Sequence, residues 1–260
     1  MKIKCVVGES RANRNVCFSY QHMFLPMKKY ADCYESNVIE EGTTHMVFID
    51  VIQNVRILKN IVLDAKSKGI KIIAVTFDPA NFEEADRCIE EGLLDMLVLT
   101  DMQFKDRFPN TNVYVSDYFL NEDLFSKLET KKDSDVCYFG HLIGNYKRNN
   151  EHNLPVIVDF NSYEGLYSKV QNFNGCFIYD TGRGEDPNEV IHHNKAKAIE
   201  ALMCGVNAYC QDGIKTKNYD HLLFKENDLL SPKKINFSQE EVFQINENVI
   251  KEFLNECENC

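Results

Sequence analysis

The chain has 260 residues, 44% hydrophobic and 27% charged, with a net charge of −11. These are ordinary figures for a globular protein that can bury a real core. No run approaches the roughly 18 apolar residues of a membrane span, which excludes an integral helical membrane protein. An acidic whole also disfavours indiscriminate polyanion binding.

The charge is uneven. Residues 1–30 hold Lys2, Lys4, Arg11, Arg14, Lys28 and Lys29 against Glu9, a net +5, so the rest of the chain carries −16. A local basic face in an acidic protein is one reading of this asymmetry, and plainly solvated lysines are the other. Met1–Ser10 reads as a short apolar strand, not as a basic segment leading into a long apolar one. The expected location is therefore the cytoplasm. The ten cysteines are scattered, mostly inside apolar runs, and read as buried reduced thiols. Cys257-Glu-Asn-Cys260 has metal-type spacing, but no second pair accompanies it, and it lies on an acidic tail.

In chain order, β-rich runs are expected at Ile3–Val7, Met46–Val51, Lys71–Phe77, Leu94–Leu99 and Val113–Ser116. Helical patterns fall between them at Val55–Lys68, with Ile57, Ile61 and Leu63 as its apolar positions, and at Asn81–Glu91. Leu128–Asp135 is polar, lacks apolar periodicity and reads as a linker. A second series follows, with strands at Val136–Phe139, Pro155–Phe160, Cys176–Asp180 and Asn207–Cys210 and helices at Tyr163–Val170, Glu189–Cys204 and Gln239–Glu256. Strands spaced by helices of this length are βαβ units with a parallel sheet. The pattern predicts an α/β protein of two Rossmann-like domains, 1–130 and 131–260; one larger doubly wound sheet is the alternative.

In open parallel sheets, ligands bind beyond the carboxyl ends of the strands. The richest segment there is Asp180-Thr-Gly182-Arg183-Gly184-Glu-Asp186. Its two glycines let backbone approach a ligand, Arg183 supplies a fork for phosphate, and the following helix start is a natural anion site. Along that helix Lys197 and Glu200 are three apart and share a face. The glutamate is placed to accept two hydrogen bonds from a ribose diol, or the two form a surface pair on an amphipathic helix. In the first half, Arg11 and Arg14 lie just past strand one and suit an anionic acceptor. Asp50 closes the strand Val47–Asp50 as a candidate general base, or caps the helix from about residue 53. Asp78 and Asp117 hold similar places.

Lys197-x-x-Glu200-Ala-Leu-x-Cys-Gly205-Val resembles the Lys/Arg-x-x-Glu-Ala-x-Ala-Cys-Gly-x-Pro signature of nucleotide-sugar glycosyltransferases of the GT-B fold. Upstream, Asp135-Val-Cys-Tyr-Phe-Gly140 and the loop to Lys147 and Arg148 resemble the first strand and diphosphate-binding loop of that family's second domain. The resemblance covers residues 135–212; the first half matches in architecture alone. It implies two Rossmann-like domains facing a cleft, acceptor side first and donor side second. It implies a nucleotide-diphosphate sugar, a UDP-sugar first, as donor, with the ribose on Glu200. Lys197, Gly140, Gly182 and Gly184 then line the donor site. Arg183, Lys147 and Arg148 stabilise the leaving diphosphate without a metal or other cofactor. By position, His192 and His193 near the helix start either touch phosphate or donor sugar or are buried or capping histidines.

The chain departs from the family at three points. Position 192, where retaining members often carry a glutamate, is His; position 207, where proline is expected, is Asn; and the basic loop residue falls about one place late. The resemblance extends to small phage enzymes that glycosylate hydroxylated pyrimidines in DNA, which would make the host cytoplasm the location and DNA or another anionic polymer the acceptor. Bacterial surface glycan or protein is a comparable acceptor. A nucleotide-binding module without turnover, and an unrelated two-domain α/β sensor, are the competing readings.

Overall fold

A computed structural model of the chain describes residues 1–8, 17–77, 81–125, 135–139, 154–157, 162–178, 193–211, 214–231 and 233–260. Two compact units emerge: Met1–Leu120 with Glu247–Cys260, and Asn121–Asn246. The expected boundary at residues 130 and 131 lies outside the described residues. The C-terminal stretch Glu247–Cys260, expected in the second domain, groups with the first unit instead.

The first unit contains strands β1 (Lys2–Val7), β2 (Asp32–Tyr34), β3 (His45–Ile49), β4 (Lys71–Thr76), β5 (Met96–Leu99) and β6 (Val113–Val115). They form one parallel sheet in the order β2-β1-β3-β4-β5-β6. Its helices are α1 (Leu25–Tyr30), α2 (Gln53–Ile57), α3 (Lys59–Ser67) and α4 (Phe82–Glu90). Every residue of β3 and β5 is buried, as expected of central strands in a sheet covered on both faces.

The second unit contains β7 (Val136–Phe139), β8 (Val156–Ile157), β9 (Gly175–Ile178), β10 (Asn207–Cys210) and β11 (Phe224–Lys225), with α5 (Tyr163–Val170) and α6 (His193–Met203). The last helix, α7 (Gln239–Glu258), is divided between the units after Asn246. The second sheet is again parallel, in the order β11-β10-β9-β7-β8. There are thus two sheets and not one larger one. Read from β8, the order is that of the first sheet: the chain starts inside, steps outward once, then reverses. The reversal puts a switch point between β1 and β3 in one unit and between β7 and β9 in the other.

Of the four edge strands the sequence missed two, β2 and β11, which are three and two residues long. It also gave the wrong apolar face to the helix after β3. Leu58, at ψ +22°, breaks that helix into α2 and α3. Ile57 (72%), Ile61 (41%) and Leu63 (44%) are exposed, while Val55, Val62 and Ala65 are buried with Leu58 packed beside them. Positions 55, 58, 62 and 65 form an equally periodic stripe, and its smaller side chains allow closer approach to the sheet.

One turn recurs where a helix hands the chain to the next strand. Gly205 has φ +65°; its N–H donates to Leu202 O (2.8 Å), and the Val206 N–H donates to Ala201 O (3.1 Å). This paired bonding closes a helix through a left-handed glycine. Gly69 and Gly92 do the same before β4 and β5, through the Gly69–Lys66 and Ile70–Ala65 bonds and the Gly92–Ile89 and Leu93–Cys88 bonds. The residue after each glycine (Ile70, Leu93, Val206) is buried.

Gly175, at the start of β9, carries the tightest packing among the described glycines. A Cβ there would lie 2.5 Å from Cε2 of Tyr209 and 3.2 Å from Asn207 O. The Tyr209 ring cannot easily retreat. It is fully buried, and its hydroxyl accepts from Lys233 N (2.9 Å) and Asn207 Nδ2 (3.3 Å). Gly175→Ala is expected to destabilise the second unit by about 1–3 kcal/mol, as overpacking of a well-filled core does. A lowered urea midpoint at an unchanged slope is the measurement that checks it.

Candidate functional site

The Tyr167–Glu200 hydrogen bond puts α5 and α6 on the same face of the second sheet, as the right-handed rule for parallel crossovers requires. Side chains from both helices meet there over β7. Lys197 of α6 donates to the Tyr138 hydroxyl of β7 at 3.5 Å, with its ammonium 5.4 Å from that ring's centroid. One turn on, Glu200 is 6% exposed and accepts a hydrogen bond from the phenol of Tyr167 on α5. The Tyr167 ring stacks on Phe125 (centroids 4.2 Å apart) and on Tyr163 (5.7 Å).

Burial therefore overturns the surface-pair reading of Lys197 and Glu200. It raises the Glu200 carboxyl from its ordinary 4.5 to about 7, against the opposing pull of the Lys197 charge and the Tyr167 hydrogen bond. Tyr167, fully buried, is pushed well above its ordinary value, first by burial and then by the Glu200 charge, so its phenol stays a donor at neutral pH. A carboxyl that ionises near neutrality beside a lysine can hold a polyol or a proton, and such groups cluster at functional sites. Sequence reasoning missed Tyr138, Tyr167 and the buried Lys195. The only signals were the i, i+4 aromatic pair Tyr163 and Tyr167, and the alternation that turns Tyr138 toward the helices.

Asn207, the departure from the family's proline, is explained locally. Its N–H donates to Asn174 O at 3.1 Å and its amide nitrogen to Lys233 O at 2.8 Å. A proline would lose the first bond.

Asp50 stands at the carboxyl end of β3, at the first unit's switch point. It is the one non-glycine described residue with a left-handed backbone, φ +57°, and its N–H donates to Val75 O at 2.9 Å. Strain of this kind gathers at functional sites. The N-cap of α2 is Ile52, so Asp50 does not occupy the capping position. Beside it, Gly8 N–H donates to Ile49 O (3.3 Å), and the Cys17 thiol donates to Gly8 O (3.3 Å). Asp117, after β6, is buried. Arg11, Arg14, Asp78, Gly140, Lys147, Arg148, Gly182, Arg183, Gly184 and His192 lie outside the described residues.

All ten cysteines are thiols, nine of them buried. Cys257 and Cys260 close α7, and burial raises both thiols above their ordinary value, which suppresses the reactive thiolate. Among the described residues, no group of three or more His, Cys, Asp or Glu side chains is placed to hold a metal ion, and no helix is long and apolar enough to cross a membrane.

No protein-family model matches the chain, and no curated protein sequence matches it.

The raised Glu200 carboxyl makes stability depend on pH with a definite sign. Between about pH 4.5 and 7 the folded chain holds a proton on Glu200 that the unfolded chain has lost, so this group's contribution falls as pH rises and levels off above 7. Relative to Glu200→Gln, the parent should lose up to roughly 3 kcal/mol between pH 5 and 8. Urea unfolding of both proteins across that range checks the direction.

Proposed function

We propose that the chain is a glycosyltransferase of the two-domain GT-B type, moving a sugar from a nucleotide-diphosphate donor, a UDP-sugar first, to a hydroxyl acceptor. The observation that carries this reading is the Lys197–Glu200 pair. It sits on the helix that follows the second strand of a switch point, at the spacing the family signature requires, with the carboxyl poised to ionise near neutral pH.

In this reading Glu200, as carboxylate, accepts hydrogen bonds from the ribose diol. Arg183, Lys147 and Arg148, with backbone at Gly140, Gly182 and Gly184, meet the charge that builds on the diphosphate as the bond from sugar C1 to phosphate oxygen breaks. No divalent ion is required. The acceptor hydroxyl forms the new bond to C1 and gives its proton to Asp50, while His192 lies beside the donor. Arg11 and Arg14 receive an anionic acceptor such as DNA. A nucleotide-binding module without turnover is the second reading, favoured by His192 standing where an acid is expected.

A hydrogen bond to a charged group is worth about 1.5–3 kcal/mol. Glu200→Ala is therefore expected to weaken UDP affinity roughly ten- to hundred-fold in a calorimetric titration of the folded variant. Unchanged affinity would sink the donor assignment.

The acceptor side has its own signature. For a polymeric anion, each phosphate neutralised adds about 0.9 to the slope of log affinity against log salt. Arg11→Ala with Arg14→Ala should weaken acceptor binding, flatten that slope and leave UDP affinity unchanged. A double variant with the parent's salt dependence would show that these arginines do not meet the acceptor.

A further inference from the structure

The donor reading leaves Tyr167 without a task, yet this phenol holds the carboxylate on which that reading rests. We propose that Tyr167 is the positioning residue of the donor site: its hydroxyl, clamped by the stack with Phe125 and Tyr163, holds the Glu200 carboxyl in place for the ribose diol.

Three observations carry this. The ring is fully buried and stacked on Phe125 at 4.2 Å with an interplanar angle of 16°, and on Tyr163 at 5.7 Å with 25°, so the hydroxyl has little freedom to swing. It donates to Glu200, and burial keeps it protonated, so it remains a donor throughout the neutral range. Among the described residues, the other titratable groups around this pair divide by element. From α6 comes the charged Lys197, with Cys204 just past its end; from α5 comes Tyr163, and from β7 Tyr138, whose hydroxyl accepts from Lys197 at 3.5 Å. Lys197 supplies charge and Tyr167 supplies direction. Each favours the ionised form that a ribose diol needs as an acceptor. A donor held in place by its own packing costs no ordering when the ligand arrives.

This inference rests on the donor reading, and the test separates the two. UDP affinity is measured by calorimetry at pH 6, 7, 8 and 9 for the parent, Tyr167→Phe and Glu200→Gln, with GDP and ADP titrated in parallel. In the parent, affinity should rise as Glu200 ionises around pH 7. In Tyr167→Phe the carboxylate loses a stabilising bond, so that rise should move up by about one pH unit. The resulting loss is roughly fivefold at pH 7 and nearly vanishes at pH 9. Glu200→Gln keeps an acceptor for the phenol but cannot ionise, so its affinity should be weak and flat across the range. A purely structural role for Tyr167 predicts the same loss at every pH, and that outcome, or an unmoved profile, overturns the proposal while leaving the donor reading standing. If Tyr167→Phe fails to fold, Phe125→Leu, which keeps the phenol but removes the stack that holds it, takes its place: an upward move of the profile supports the proposal, and an unmoved profile overturns it. Failure of the parent to bind any of the three nucleotides overturns the donor reading and the proposal with it.

Discussion

Parallel strands can be joined only by a crossover that carries the chain back along the sheet before the next strand begins. Everything else in the two units follows from that requirement. Each returning helix must stop, reverse and launch a strand within a few residues, and Gly69, Gly92 and Gly205 do this through the same left-handed turn with a buried apolar residue next. The amino ends of the strands are thereby committed to short, closely bonded turns. The opposite ends are free to carry length. Room for a ligand at the carboxyl ends is a by-product of how the other end is built.

The Glu200 cluster shows how burial and charge are balanced against each other. An isolated carboxylate in an apolar seat would simply take up a proton. Here Lys197 and Tyr167 offset part of that penalty, and the result is a group near half-ionisation at neutral pH instead of a permanently neutral or permanently charged one. The seat is held together by aromatic packing in which Phe125, Tyr167 and Tyr163 stack in series and Tyr138 receives the lysine. Electrostatic tuning in this cluster is therefore a consequence of hydrophobic packing.

The central strands were readable because they are buried on both faces and appear as continuous apolar runs; β3, buried along its whole length, is the clearest. The helix after it was readable as a helix but not as to its face, because two periodic stripes coexist and only packing chooses the smaller one. Glu200 shows a sharper limit. Its spacing from Lys197 is local and visible. Its burial depends on Tyr138 and Tyr167, which belong to a different strand and a different helix far back along the chain, and no local pattern reports such contacts. Gly205 carries less weight than its place in a family signature suggests, because Gly69 and Gly92 perform the same turn in the other unit. The discriminating part of that signature is the Lys197–Glu200 pair.

Nine buried thiols have a practical side. An alkylating reagent offered to the folded chain finds Cys260 partly exposed and little else. Six cysteines (5, 17, 33, 88, 257 and 260) lie in the first unit and four (137, 176, 204 and 210) in the second. Because the two totals differ, the mass added during a short pulse of reagent tells which unit has opened. The chain thus carries an internal clock for partial unfolding, set by nothing more than where its sulfur atoms are packed.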